Sequence, residues 1–144
     1  FDEYNIISVE HENTEIAFSP RVLWGGQLLW HAVRPQTASG VALDLEWATQ
    51  HVSDQFMDNT GKAAILPAHT VSQFRASLYL PTVKEGRVLD RTRLDVWVEN
   101  ALDAEYSANG YTYSYSAGPD FYALENFYYP QAGRHINLAL TYKF

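Results

Sequence analysis

Apolar and polar residues alternate along most of this chain, and no segment shows a convincing 3.6-residue period. From Arg134 the chain reads Arg-His-Ile-Asn-Leu-Ala-Leu-Thr-Tyr-Lys-Phe. Ile136, Leu138, Leu140, Tyr142 and Phe144 fall on one face of an extended strand, and His135, Asn137, Ala139, Thr141 and Lys143 on the other. Val41 to Phe56 begins the same way, with Val41, Leu43, Leu45 and Trp47 opposite Ala42, Asp44, Glu46 and Ala48. In Thr70 to Leu80, Phe74, Ala76, Leu78 and Leu80 oppose Gln73, Arg75, Ser77 and Tyr79. In Arg93 to Asn100, Leu94, Val96 and Val98 oppose Asp95, Trp97 and Glu99. Val22 to Val33 is apolar around Gly25-Gly26, with Trp24, Leu28 and Trp30 on one face and Gln27, Leu29 and His31 on the other. Tyr4 to Glu10 is a weaker strand. The pattern predicts an all-β, antiparallel chain of about six strands.

The predicted connections cover residues 11–21, 34–40, 57–69, 81–92 and 101–133. The first, third and fifth are long or carry polar and aromatic clusters. The second is short, and the fourth holds a tight-turn candidate at Lys84-Glu85-Gly86-Arg87. Asn100, Asp103, Asn109 and Gly110 favour extended or loop structure over a helical turn in Ala101 to Ala108. Long loops at one end and short turns at the other are a trait of outer-membrane barrels. An even number of strands puts both chain ends on the short-turn side.

Alternation alone leaves two environments open. In water the apolar face packs on a core; in a membrane barrel it meets lipid and the polar face lines the lumen. Three features favour the membrane. The last strand offers five consecutive alternate apolar positions, close to the 9–11 residues of a tilted spanning strand. Trp30, Phe56, Tyr79, Tyr106, Tyr142 and Phe144 lie near strand ends, where interface girdles form. The final residue is also the last on the apolar face. On this reading Ile136, Leu138, Leu140, Tyr142 and Phe144 face lipid, and Asp44, Glu46, Gln73, Arg75, Asp95, Glu99 and Asn137 face the lumen. Arg75 is expected near Glu99, with Asp95 further along the same face. A complete small outer-membrane barrel, structural or lipid-modifying, and a soluble ligand-binding β-barrel or sandwich are the alternatives.

Composition narrows the function. The 144 residues make one domain or a piece of a larger one. Ten Lys and Arg against 17 Asp and Glu give a net charge of −7, which disfavours nucleic-acid binding. The absence of cysteine removes disulfides, thiolate metal sites and a Cys nucleophile. No apolar run is long enough for a transmembrane helix, yet four Trp, ten Tyr and seven Phe are present. Phe1 follows no signal-peptide pattern, so the N-terminus is expected to be a processed end or the edge of a fragment.

No catalytic motif emerges. Gly25-Gly26 lies inside a strand and reads as a kink rather than a phosphate loop. His11, His31, His51, His69 and His135 have no tight ligand spacing, so they read as solvated or lumen-facing, and no metal or cofactor is implied. No Gly-x-Ser-x-Gly elbow accompanies them. The pairs Asp44/Glu46 and Asp95/Glu99 read as polar lining balanced by Arg75 rather than as a catalytic acid and base. The last loop is the richest feature: Tyr111, Tyr113, Tyr115, Phe121, Tyr122 and Tyr128 are candidates to stack on a ligand and hydrogen-bond through their hydroxyls. Packing of the loop on itself is the alternative.

Several stretches resemble one family. Leu94-Asp95-Val96-Trp97-Val98-Glu99-Asn100-Ala101-Leu102-Asp103-Ala104-Glu105-Tyr106, then Asn109-Gly110-Tyr111, resembles the penultimate strand of TonB-dependent outer-membrane receptors, with their V-x-N-L-x-D-x-x-Y pattern. Tyr128-Tyr129-Pro130 and Gly133-Arg134, leading to Phe144, resemble the last loop and terminal strand. Ile16-Ala17-Phe18-Ser19-Pro20 resembles the segment entering an upstream strand, and His51-Val52-Ser53-Asp54-Gln55-Phe56-Met57-Asp58-Asn59-Thr60 resembles the family's Y-V-x-x-Q-Y-x-D-N-T stretch in a Bacteroidota-like form. The resemblance implies that residues 1–144 are the C-terminal segment of a larger barrel of about 22 strands. The plug domain and TonB box are absent from this chain. It implies location in a bacterial outer membrane and active, TonB-driven uptake of a scarce nutrient, with an iron chelate such as a siderophore or haem as first guess. It also implies partners: the rest of the barrel and the plug from the same or another chain, the TonB complex through that plug, membrane lipid, and a small-molecule or chelate ligand.

Overall fold

The computed structural model describes residues 10, 12–37, 40–60, 65–84, 87–116 and 122–142, with side chains described except at 82–84, 87–91, 116 and 122. These residues form nine strands and no helix. They are β1 (Leu23–Val33), β2 (Ala42–Val52), β3 (Gln55–Phe56), β4 (Ile65–Leu66), β5 (His69–Lys84), β6 (Arg87–Glu99), β7 (Ser107–Ser116), β8 (Tyr122–Pro130) and β9 (His135–Thr141). Five of them make one antiparallel sheet in the order β1-β2-β5-β6-β9. The pairs β3-β4 and β7-β8 are separate antiparallel hairpins inserted between consecutive strands of that sheet.

Five expected strands are therefore present, and the expected strand from Tyr4 lies outside the described residues except for Glu10. Two connections need correction. Residues 101–133 hold a ten-residue and a nine-residue strand, β7 and β8. The turn region 81–92 is mostly strand: β5 runs to Lys84 and β6 starts at Arg87. Beyond Tyr79 and Arg93, where β2 and β9 stop pairing, β5 and β6 continue as a two-stranded projection. Pro81 falls where the β5-β6 register shifts, the place in a ladder where a missing N–H costs least.

The register makes the two faces chemically opposite. On one face Leu28, Trp47, Phe74, Val98 and Ile136 form a row across all five strands. Trp30, Leu45, Ala76, Val96 and Leu138 form the next. Leu43, Leu78, Leu94 and Leu140 form a third. Successive strand residues point to opposite sides, so every intervening position belongs to the second, polar face. The apolar face is left open, with Leu28, Leu138 and Leu140 of the edge strands 68%, 71% and 71% exposed; on the polar face Asp95 and Ser77 of the central strands are buried, and Gln73 and Arg75 are exposed. Among the described strands the only substantial packing outside hydrogen-bonded neighbours joins β4 to β7. No described layer covers the apolar face.

Both long insertions leave from the same end of the sheet, that of Val52, His69, Glu99 and His135. Val33, Ala42, Lys84 and Arg87 lie toward the other. The edges are β1 and β9. In a five-stranded antiparallel sheet these edge strands run in the same direction.

Candidate functional site

The polar face is stratified along the strands. Nearest the insertions, β1, β2 and β5 contribute the rows Leu23-Val52-His69, Gly25-Gln50-Val71 and Gln27-Ala48-Gln73, and the register carries the last of these on to Glu99 and His135. Next comes Leu29-Glu46-Arg75-Trp97-Asn137, then His31-Asp44-Ser77-Asp95-Ala139, then Ala42-Tyr79-Arg93-Thr141. Asp44, Glu46, Gln73, Arg75, Asp95, Glu99 and Asn137 therefore share this face. Ile136, Leu138 and Leu140 share the other. Tyr142 follows β9, and Phe144 lies outside the described residues.

The charged rows are internally paired. Asp95 Oδ1 accepts a 2.6 Å hydrogen bond from Ser77, and its Oδ2 accepts one of 2.7 Å from Arg93 Nε. Asp44 lies 2.7 Å from His31 Nδ1, and Gln27 Nε2 donates to Glu46 Oε1 at 2.7 Å. Arg75 departs from expectation. Leu80 pairs with Thr92 rather than with Arg93 or Leu94, so Arg75 stands opposite Trp97 and not Glu99. Its guanidinium carbon lies 5.3 Å from the Trp97 ring centre, a cation–π distance. Glu99 stays on the same face but pairs with His135.

The insertions are held to the sheet by a few specific contacts. Asn100 adopts a left-handed φ of 49°, and its side chain spans the loop. Its Nδ2 donates to the carbonyls of Ala104 at 2.9 Å and Ala132 at 3.2 Å, and its Oδ1 accepts from the Ala104 N–H at 2.9 Å. Asp103, also left-handed at 56°, accepts from the Arg134 N–H at 2.7 Å. The departing and returning strands of the β7-β8 excursion are thereby pinned together. Tyr106 then stacks on His69, with ring centroids 4.5 Å apart. Further out, Gly110 lets β7 sit against the small hairpin: a Cβ there would lie 2.5 Å from the Phe127 carbonyl oxygen and 2.6 Å from Met57 Sδ. Met57 and Leu66 are buried at this contact.

The segment before β1 joins the same cluster. The Phe18 N–H donates to the Phe56 carbonyl at 2.9 Å, and the Ala17 N–H to Asn59 Oδ1 at 2.7 Å. Glu15 is hydrogen-bonded by Arg21, which holds its carboxyl below the usual carboxylate range.

The candidate ligand residues of the last loop are only partly gathered. The β7-β8 register puts Tyr111, Tyr113 and Tyr115 on one face of the hairpin, opposite Phe127, Glu125 and Ala123. Tyr111 stacks on Phe127 at 4.7 Å and 11°, and Tyr113 lies 5.8 Å from Tyr115. These rings form an exposed aromatic ribbon. Tyr128 pairs with Gly110 and belongs to the opposite face. Phe121 lies outside the described residues, as does the side chain of Tyr122.

Comparison of the chain with protein-family models, with curated proteins and with solved structures returned no match.

Gln27, Gln50, His69 and Tyr106 are not picked out as site residues by sequence reasoning. Together with Gln73 they line a cavity of about 990 Å³ at the loop end of the polar face. Parity alone puts Gln27 and Gln73 on the polar sides of their strands. Only the long-range register puts them in one row.

Proposed function

We propose that this chain forms part of the wall and surface loops of a TonB-dependent outer-membrane receptor that imports a scarce small molecule. The observation that carries the reading is a continuous apolar face across all five strands with no described layer over it. Three leucines of the apolar face are more than two-thirds exposed, while Asp95 and Ser77 on the polar face are buried. A water-soluble sheet hides its apolar side; a barrel wall turns that side to lipid. From Phe74 to Leu80 the apolar rows extend roughly 20 Å at about 3.3 Å per residue, against an apolar band of about 25 Å in such barrels.

The band has a rim at its loop end. There Trp24 stacks on His51, 5.6 Å away, and His51 Nδ1 lies 2.9 Å from Thr70 Oγ1. Aromatic and polar side chains of this kind suit the membrane interface. The open edges of β1 and β9 also fit a wall segment, because unpaired backbone in lipid is costly. Since β1 and β9 run in the same direction, antiparallel closure takes an odd number of further strands. The receptor assignment itself rests on the V-E-N-A-L-D-A-E-Y stretch and the segments in register with it. The geometry at Asn100, Asp103 and Tyr106 gives that stretch a physical purpose, which is to launch a long excursion and bring it back.

Fractionation of the cells that make the protein is the test. The account expects it in the outer membrane, with heat-modifiable gel mobility and with uptake that stops when TonB is deleted. Recovery in the soluble fraction would sink the reading.

A further inference from the structure

At the end of the sheet away from the insertions, a second cavity of about 260 Å³ opens on the polar face. A β-bulge shapes it. The β1-β2 register shifts between His31 and Val33, with Ala32 as the extra residue, so that Val33 meets Leu43 on the apolar face. Strict alternation would put Val33 on the polar face with His31; the bulge hands that face to Arg34 instead. Arg34 lines the cavity beside Ala42, a small buried residue that pairs with Tyr79. His31 and Asp44, one row further in, close its inner side, and Val33 and Pro35 border it at the strand end.

The donors are set in advance. Asp44 Oδ1 lies 2.7 Å from His31 Nδ1 and accepts from it, which leaves the second ring nitrogen available. Arg93 donates to the Tyr79 oxygen, so the phenolic proton is left to donate elsewhere. Among the described residues no carboxylate pairs with Arg34.

The charge balance selects the ligand. On this stretch of the face Arg93 is bonded to Asp95, and Glu46 stands in register with Arg75. Arg34, Asp44 and His31 remain. Their charges cancel when the imidazole is neutral and leave one positive charge when it is protonated. A cation would meet the Arg34 guanidinium and be repelled, and a dianion exceeds the charge on offer. The cavity is smaller than the roughly 300–1,000 Å³ of drug-sized ligand sites, so it suits an ion or a very small acid. A guanidinium fork matches the paired oxygens of a carboxylate or a phosphate.

We propose that this cavity binds a small monoanionic oxyanion, a carboxylate or dihydrogen phosphate, at the Arg34 guanidinium and the Tyr79 hydroxyl, together with a proton on the His31 ring. The site lies at the opposite end of the face from the surface loops and is independent of any ligand captured there. It does not require the wall reading.

The whole protein, purified in detergent, is titrated with acetate, with inorganic phosphate and with tetramethylammonium, and the NMR line width of each ligand is followed. At least one oxyanion should bind and the ammonium should not; acetate or phosphate binding alone names the class. Arg34→Gln should weaken oxyanion binding about tenfold or more, as expected for a lost charge-assisted bond. Arg34→Lys should keep part of it, and Tyr79→Phe should weaken it severalfold. Acetate should bind about fivefold or more tightly at about pH 5.5 than at about pH 7.5, on either side of the imidazole range. His31→Gln should remove that dependence. Failure of both oxyanions to bind, binding unchanged in Arg34→Gln, or a pH dependence that survives His31→Gln overturns the proposal. Fractionation of the same cells tests the wall reading separately.

Discussion

Ser77 on β5 donates a 2.6 Å hydrogen bond to Asp95 on β6, and both residues are buried on the face that sequence alone would assign to the outside of a soluble sheet. Asp95 also accepts from Arg93 at 2.7 Å. Removing the carboxylate leaves a buried hydroxyl and a guanidinium without their shared acceptor. We expect Asp95→Ala to cost about 1–3 kcal/mol, measured by urea unfolding in lipid vesicles. Ser77→Ala should cost less, because Asp95 keeps Arg93.

The apolar face gives the opposite sensitivity. Leu138 pairs with Val96 in the middle of the exposed apolar rows. Leu138→Arg should cost roughly 2–4 kcal/mol if the band lies in lipid. Asn137→Arg, one residue away on the other face, should be nearly neutral. Equal tolerance in a folding titration would contradict the assignment of faces.

Gly110 tests how the insertions are held. Its missing Cβ is what lets Met57 and the Phe127 carbonyl approach. Gly110→Ala must push one of them away, at a cost of about 1–3 kcal/mol. Limited proteolysis should then cut the β7-β8 hairpin faster. Gly26→Ala, with open space around its Cβ, serves as the control and should leave the cleavage rate unchanged.

Asn100 can be dissected by two substitutions. Asn100→Gly keeps the left-handed backbone but loses three side-chain hydrogen bonds, whereas Asn100→Ala also strains the backbone. Both should loosen the return into β9, with Ala the worse by about 1 kcal/mol. Hydrogen exchange at the Arg134 amide, which bonds to Asp103, reads this out.

The main sheet is legible in the sequence because its signal is local. A period of two places Ile136, Leu138 and Leu140 on one side and Asn137 on the other without reference to any neighbouring strand. The paired insertions are not legible in this way. Tyr111, Tyr113 and Tyr115 also alternate with Thr112 and Ser114, but Gly110, Gly118 and Pro119 read as loop punctuation, and the partner strand β8 carries charge and amide at Glu125 and Asn126. The loop-end cavity is hidden for another reason. Gln27 and Gln73 are far apart in sequence and meet in one row only through Ala48 of the strand between them. Arg75 departs from its expected place because the β5-β6 hairpin is tighter than the sequence suggests: Leu80 meets Thr92 rather than Arg93 or Leu94, which sets Trp97 and not Glu99 opposite Arg75.

The central claim is that the apolar face meets lipid, and depth-dependent quenching tests it most directly. The chain has no cysteine, so single cysteines can be placed at L28C and L138C on one face and at N137C and Q73C on the other. Each is labelled with a fluorophore and the protein is inserted into vesicles containing lipids brominated on the acyl chain. The account predicts strong quenching at positions 28 and 138 and weak quenching, with reaction toward a water-soluble reagent, at 73 and 137. Quenching that is equal on both faces, or stronger at 73 and 137, would contradict it.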